Sequence, residues 1–165
     1  MGQSKIKSKS IEINGVNYKS QLEVFMMTSL KKHKIPFKYE TNVIELIPEF
    51  VFPGECYEAD RRFPKGFGRK TTRVQAITYT ADFTNLNPKT KRGWIIECKG
   101  FKTDKFKIIW KLLKWWLKVE LWDITLYMPR TSKQCEETIN LIKQYYGTST
   151  NRRIISTNTG TALPK

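Results

Sequence analysis

The chain has 165 residues, 39% of them hydrophobic and 13% aromatic, so it is long and apolar enough to bury one core and is not intrinsically disordered. Its 30 Lys and Arg residues against 15 Asp and Glu residues leave a net charge of +15, which favours a polyanionic partner, nucleic acid before an anionic membrane. Three widely spaced cysteines and one histidine argue against a structural zinc site and a disulfide framework, and they fit a reducing cytoplasm.

The N-terminal part of the chain predicts an arm, a strand pair and a helix. Residues 1–10 are polar and lysine-rich, which indicates a flexible basic arm. Residues 11–18 predict two strands joined at Asn14-Gly15, a dipeptide typical of tight hairpin turns. Residues 20–34 place apolar side chains on one face and predict a helix, which ends before Pro36.

The middle of the chain predicts strands separated by a long connection. Residues 37–47 are predicted to form a strand, and residues 53–73 a connection rich in Gly, Pro and Arg. Connections of that length are usually functional or mobile. Residues 74–84 alternate in polarity and predict a strand. One predicted face carries Ile77, Tyr79, Ala81 and Phe83, and the other carries Thr78, Thr80, Asp82 and Thr84.

The last part of the chain predicts a turn, a strand, a helix, a strand and a helix. These are expected at 85–93, 94–99, about 103–119, 121–128 and about 132–146. Residues 148–165 are rich in Thr, Ser and Asn and predict a disordered tail. The expected fold is therefore α/β, a single domain over 11–147 with a mixed central sheet flanked by helices, in the order αβββαβα.

Asp82 and Glu97 carry the strongest chemical signal. A hairpin centred between Lys89 and Thr90 sets them directly opposite each other, with Cβ atoms roughly 5 Å apart, and Lys99 projects from the same face. Mg²⁺ binds one or two carboxylates plus waters and phosphate oxygens, and the backbone carbonyl of Cys98 can add a ligand. Mn²⁺ is expected to substitute.

Two other interpretations of this pattern stay open at this point. Glu97 and Lys99 can be exposed residues on a strand face, with Asp82 merely near a turn. A β-bulge would also shift the register and separate the two carboxylates.

The segments ITYTADF (77–83) and GWIIECKGFKT (93–103) resemble the active-site hairpin of PD-(D/E)XK nucleases, especially small phage-encoded nucleases. They resemble, more distantly, the phage endonuclease I family of Holliday-junction resolvases, in which a helix bearing S-x-L-E precedes the hairpin, as SQLE (20–23) does here. The resemblance covers roughly residues 17–128. It implies a restriction-endonuclease-like core and catalytic roles for Asp82, Glu97, Lys99 and Glu23, with Glu23 as a further metal ligand. Ala81 stands where proline is common.

Glu23 has a second interpretation, because Ser20-Gln-Leu-Glu23 is also a capping-box pattern, in which Glu23 bonds back to the Ser20 backbone. Glu40, in the next predicted strand, is a weaker candidate for the site, and a solvated strand residue is its simpler interpretation.

Basic residues supply the predicted nucleic-acid contacts. The 53–73 connection is the first choice because it is dense in arginine, which suits phosphate. The predicted contacts are Arg61, Arg62, Lys65, Arg69, Lys70 and Lys102. The helix from Thr103 also carries a lysine stripe, either a solvated edge or a ridge that follows phosphates. Its aromatic residues, including Trp110 and Trp115, are predicted to belong to the core.

These features together predict a Mg²⁺-dependent DNA endonuclease. The resemblance implies branched DNA such as a Holliday junction and, with a two-fold junction, a homodimer. Alternatives are a restriction-like or nicking nuclease on linear duplex and a non-catalytic nucleic-acid-binding protein. No small-molecule cofactor, membrane partner or transmembrane segment is expected, and the cytoplasm, of a bacterial host if the protein is phage-encoded, is the expected location.

Overall fold

The computed structural model describes residues 10–59, 66–69 and 72–146. The predicted basic arm, except Ser10, and the predicted tail lie outside the described residues. In chain order the elements are β1 (Ile11–Ile13), β2 (Val16–Tyr18), α1 (Gln21–Lys32), β3 (Lys38–Tyr39), β4 (Val43–Ile47), β5 (Phe50–Val51), β6 (Tyr57–Ala59), β7 (Phe67–Arg69), β8 (Arg73–Val74), β9 (Ile77–Thr80), β10 (Phe83–Asn87), β11 (Arg92–Ile96), α2 (Asp104–Val119), β12 (Asp123–Tyr127) and α3 (Ser132–Tyr146).

A four-stranded mixed sheet lies at the centre, in the order β12–β11–β10–β3. β12 runs parallel to β11, whereas the β11–β10 and β10–β3 pairs are antiparallel. The predicted α/β class with a mixed sheet and flanking helices is therefore confirmed. None of the described helices is long and apolar enough to cross a membrane.

Helices cover both faces of this sheet. One apolar cluster joins α1 and α3 to the sheet through Met26, Leu30, Ile139 and Phe83, and a second joins α2 to the opposite face through Leu113 and other residues. Local signals set the helix starts: the hydroxyls of Ser20 and Thr103 accept hydrogen bonds from the backbone N–H groups three residues later. The predicted helices are confirmed, with α1 slightly shorter than expected.

The predicted tight turn at Asn14-Gly15 is confirmed, and the hairpin of β10 and β11 is longer than expected. Asn14 and Gly15 both have positive φ, as the turn between β1 and β2 requires. β10 and β11 extend into residues predicted as turn, so only 88–91 connect them. Gly93 allows this extension, because it has φ +150° and an added Cβ would lie 2.0 Å from the Asn85 carbonyl oxygen.

The predicted long connection is partly wrong, because residues 57–59, 67–69 and 73 belong to the strands of a ribbon. The strand pairs β4–β9, β5–β8 and β6–β7 follow one another as antiparallel pairs along the same two chain segments. The short strands escaped prediction because glycine and proline interrupt them and their apolar side chains, such as Val51 and Tyr57, are exposed rather than alternating.

The two long strands predicted at 37–47 and 74–84 are each broken, at neighbouring points. Glu40, with φ +45°, separates β3 from β4, and Ala81 with Asp82 separate β9 from β10. The Glu40 N–H donates to the Asp82 carbonyl at 3.1 Å, so the two breaks are joined. The prediction that Phe83 shares a face with Tyr79 and Ala81 is wrong: Phe83 packs with α1 and α3, whereas Tyr79 and Ala81 pack with α2.

Candidate active site

The two predicted acids lie where the β10–β11 ladder ends. Phe83 faces Ile96 and Thr84 faces Ile95, which is the predicted register, and its continuation sets Asp82 opposite Glu97. Both carboxylates are buried, with exposures of 8% for Asp82 and 4% for Glu97. The interpretation of these residues as an exposed strand face is therefore wrong.

The backbone beyond β11 explains how Asp82 is held. The N–H groups of Glu97 and Lys99 donate to the carbonyls of Tyr127 and Pro129, so this segment continues alongside β12. The intervening Cys98 N–H points to the other edge and donates to Asp82 Oδ2 at 2.6 Å. In an extended strand the N–H and C=O of one residue share an edge, so the Cys98 carbonyl, the predicted ligand, lies on the edge where Asp82 binds.

Glu97 is fixed by two side chains. The Tyr79 hydroxyl donates to Glu97 Oε2 at 2.9 Å, and Lys99 Nζ lies 3.2 Å from Glu97 Oε1. The Lys99 ammonium also lies 4.7 Å from the centre of the Phe106 ring, at the start of α2. The break after β9 is what brings Tyr79 to the α2 side, where it reaches Glu97. Alternation alone did not reveal this role for Tyr79.

The pKa values of the two carboxylates are set mainly by their burial, because nearby positive charge offsets only part of the cost of removing them from water. Desolvation raises the pKa of Asp82 to about 8, and the charges of Glu97 and Glu23 add to this rise, against the Cys98 N–H bond and Lys99. Desolvation also raises the pKa of Glu97, against hydrogen bonds from Tyr79 and Lys99. Burial and the charge of Glu97 raise the pKa of Tyr79, so its hydroxyl stays protonated and donates. The positive charge of Lys99 is therefore too small to offset the burial of both carboxylates.

Glu23 makes the contacts of a helix cap. It is 4% exposed, and its Oε1 accepts from the Ser20 hydroxyl at 2.8 Å. Its Oε2 accepts from the Lys19 N–H and from the Tyr39 hydroxyl, at 2.9 and 2.7 Å. The backbone partner is thus Lys19 rather than the predicted Ser20. A carboxylate accepts about four hydrogen bonds, so Oε1 keeps one acceptor position for a further partner.

Lys19 is a second cation beside the acids, and the sequence pattern did not reveal it. Its Nζ pairs with the Glu40 carboxylate, so Glu40 is a half-buried partner of Lys19 rather than a solvated strand residue. The hydrogen bond to Glu40, together with the charges of Glu40, Asp82 and Glu23, raises the pKa of Lys19. Lys19 directly precedes the N-cap of α1, and that position is the only signal that could have found it.

A preassembled three-ligand metal centre is absent from the described part of the chain: no three His, Cys, Asp or Glu side chains there are arranged to hold a metal ion. Asp82 and Glu97 nevertheless fit a hard divalent cation, because Mg²⁺ takes one or two carboxylates and fills the remaining positions with waters, carbonyls and phosphate oxygens. A divalent cation between Asp82 and Glu97 would supply the positive charge that the two buried carboxylates need.

The predicted DNA contacts fall mostly outside the described residues. This holds for Arg61, Arg62, Lys65 and Lys70 and for the side chain of Arg69. Lys102 is exposed, near the start of α2. The lysines of the α2 stripe are exposed as well, at positions 107, 111, 114 and 118.

One prediction for α2 is wrong. Trp110 packs in the core and stacks on Phe106, but Trp115 is 55% exposed. The reason is helical geometry: Trp115 is two residues from both Leu113 and Leu117, which face the core, and two residues turn about 200° around a helix.

A family model described as "Protein of unknown function (DUF1064)" matches residues 3–128. The chain belongs to the DUF1064 family. The match spans every residue of the candidate site and ends after β12, so α3, which completes the core over α1, lies beyond the DUF1064 match. No curated protein and no solved structure matches the chain significantly.

Proposed function

We propose that this protein is a metal-dependent endonuclease that hydrolyses phosphodiester bonds in DNA. The observation that carries the proposal is the buried Asp82–Glu97 pair, with Lys99 as its neighbouring cation. The mixed sheet with helices on both faces is compatible with a restriction-endonuclease-like core, which we include in the proposal.

A purely structural role does not account for the pair. Buried charges are costly, and replacing them by apolar residues is often neutral or stabilising. The strand is also broken between β9 and β10, where the Cys98 N–H donates to the Asp82 carboxylate rather than to a backbone carbonyl. A protein that only bound nucleic acid would gain nothing from two buried acids that repel an anionic backbone, which disfavours the non-catalytic alternative.

Each residue of the site has a proposed role in hydrolysis. Asp82, Glu97 and the Cys98 carbonyl would hold a divalent ion. A bound Mg²⁺ or Mn²⁺ supplies a Lewis acid for the phosphate and lowers the pKa of a coordinated water. Lys99 orients the attacking water or stabilises charge that grows on the phosphate oxygens. Tyr79 orients Glu97 through its hydrogen bond, which also lowers the pKa of Glu97 and so favours the ionised carboxylate.

The substrate follows from charge and resemblance. The net charge of +15 favours a polyanion, and the resemblance of the hairpin to junction resolvases favours branched DNA over linear duplex, with a homodimer on a two-fold junction. Glu23 is proposed as a further ligand, since its charge acts on Asp82 and Oε1 keeps an acceptor position.

A gel assay tests the proposal. Purified protein is incubated with a four-way junction, a linear duplex and a single strand, in Mg²⁺, Mn²⁺ or EDTA, beside the matched variant Asp82→Asn. We expect cutting of the junction with either metal, none in EDTA and none by the variant. If the linear duplex is cut as fast as the junction or faster, the proposed preference for branched DNA is wrong. If no nucleic acid is cut with any of the metals, the proposal that the protein is a nuclease is wrong.

A further inference from the structure

The outer side of α2 exposes apolar side chains that no other part of the described chain covers. Ile108, Trp115 and Val119 are 60%, 55% and 53% exposed. Their spacing of seven and four residues places them on one line along the helix, opposite the buried Phe106, Leu113 and Leu117. The large aromatic ring at the middle of this line is the unusual feature, since its neighbours Trp110 and Trp116 both stack on other rings.

Three lysines lie beside this line. Lys111, Lys114 and Lys118 are within four residues of Trp115 on the helix and are exposed. Lys107 pairs with Asp104, but these three have no hydrogen bond or ion pair with any described residue. Trp115 likewise contacts no other ring in the described parts of the chain. A free indole face next to three unneutralised cations defines what we call the α2 ridge: Lys111, Lys114, Trp115 and Lys118.

The α2 ridge leads away from the candidate active site. Phe106, in the first turn of α2, contacts Lys99, and Trp115 follows nine residues later. At 1.5 Å per residue, the two are roughly 13 Å apart along the helix axis. Because Trp115 and Phe106 lie on opposite sides of α2, a nucleic-acid strand must also pass around the helix, and at about 3.4 Å per stacked nucleotide it needs about five or six nucleotides to reach from one to the other.

We propose that the α2 ridge binds a single-stranded segment of nucleic acid, with one base stacked on Trp115 and phosphates paired with Lys111, Lys114 and Lys118. Unpaired bases expose both ring faces, and aromatic side chains flanked by cations bind them with little dependence on sequence. The placement next to the site rests on the proposed function: the bound strand would be the unpaired segment adjoining the cleaved bond. The stacking site itself is independent of cleavage.

Charge and shape favour this occupant over the others. A second copy of the chain would bring like-charged lysine rows together if α2 packed on itself about a two-fold axis, in a protein that already carries +15. The broad apolar side of α2, which an interfacial helix would insert into a bilayer, is packed in the core, and the outer side offers only a narrow apolar line beside lysines. An acidic peptide would satisfy the lysines but would leave the indole face without a stacking partner.

Binding measured in EDTA tests the α2 ridge separately from catalysis. Fluorescence anisotropy of labelled oligo-dT is recorded with wild-type protein and with Trp115→Ala, Trp115→Phe and the triple change of Lys111, Lys114 and Lys118 to Gln. Tyr145→Ala is the matched control, an exposed aromatic residue near the end of α3. Circular dichroism of each variant checks the fold. The same proteins are tested for sedimentation with phosphatidylserine vesicles, for binding of polyglutamate and for oligomeric state.

We expect Trp115→Ala to weaken oligo-dT binding about tenfold, at the lower end of the effect of losing one stacked base. Trp115→Phe and Tyr145→Ala should bind nearly as wild type. The triple lysine variant should lower the slope of log affinity against log salt by about 2, at roughly 0.7 per lost phosphate contact. Retained affinity in Trp115→Ala overturns the inference. It is also overturned if Trp115→Ala changes only vesicle binding, polyglutamate binding or oligomeric state. If Trp115→Ala weakens oligo-dT binding but the wild-type protein cuts no nucleic acid, the inference about the α2 ridge is supported and the proposed nuclease function is contradicted.

Discussion

Stability against pH, compared between the wild-type protein and Asp82→Asn, is the sharpest test of the buried pair. The folded pKa of Asp82 is raised from 3.8 to about 8, so the folded protein binds a proton more tightly than the unfolded chain. Stability should therefore be unaffected by this group below about pH 4, fall as pH rises towards 8 and stay level above it. At 1.36 kcal/mol per pH unit, the metal-free protein loses on the order of 5 kcal/mol across that window.

Asp82→Asn removes this dependence while keeping an oxygen that can accept the Cys98 N–H bond. We expect the two proteins to have similar free energies of unfolding near pH 4 to 5 and the variant to be more stable by several kcal/mol near pH 8. Urea unfolding in EDTA, followed by far-ultraviolet circular dichroism at several pH values, measures the difference. Added Mg²⁺ should stabilise the wild type at high pH far more than the variant, because only the wild type offers both carboxylates.

A difference between the two proteins that stays constant with pH would refute this reasoning. It would show that Asp82 ionises in the folded protein as it does in water, and hence that water reaches the carboxylate. Glu97 titrates in both proteins, so the difference between them contains only the part of its contribution that depends on the charge of Asp82.

Three further predictions concern other residues of the chain. Tyr79→Phe removes a hydrogen bond that lowers the pKa of Glu97, so the acidic limb of the pH–rate profile should move to higher pH; an unmoved limb would show that Tyr79 does not help to keep Glu97 ionised. Glu23→Gln should nearly abolish cleavage and cost about 1 kcal/mol of stability through its capping contacts, whereas Ser20→Ala should cost about the same stability and spare cleavage. Normal cutting by Glu23→Gln would leave Glu23 as a helix cap only. Changing the basic residues of the predicted connection together to Gln should weaken DNA binding and flatten its salt dependence, while single-turnover cleavage at saturating protein survives. An unchanged salt slope would show that these residues do not contact phosphate: Arg61, Arg62, Lys65, Arg69 and Lys70.

Much of the framework could be predicted because local patterns decide it. The register of the β10–β11 hairpin followed from where its turn is centred, and Phe83 does face Ile96. The starts of α1 and α2 followed from Ser20 and Thr103, whose hydroxyls cap the helices whatever packs against them.

The broken strands could not be predicted, because the polarity of residues 77–84 alternates without interruption through the break. What separates β9 from β10 is a set of long-range contacts, the Cys98 N–H on the Asp82 carboxylate and the Glu40 N–H on its carbonyl. The role of Tyr79 depends on that break, so it was hidden for the same reason. Glu23 was ambiguous because one carboxylate can cap a helix and still offer a free acceptor position.

The central claim is that Asp82 and Glu97 together hold the metal on which cleavage depends. The most direct measurement pairs calorimetric titration of Mn²⁺ with a junction-cleavage assay on Asp82→Asn, Glu97→Gln and Lys99→Ala. Each amide variant should lose metal affinity and cleavage yet bind DNA in EDTA as tightly as wild type or more tightly, because one negative charge has been removed. Lys99→Ala should keep metal binding and slow cleavage about a hundredfold or more. Near wild-type cutting by either amide variant would contradict the account, because that carboxylate would then not be needed at the site.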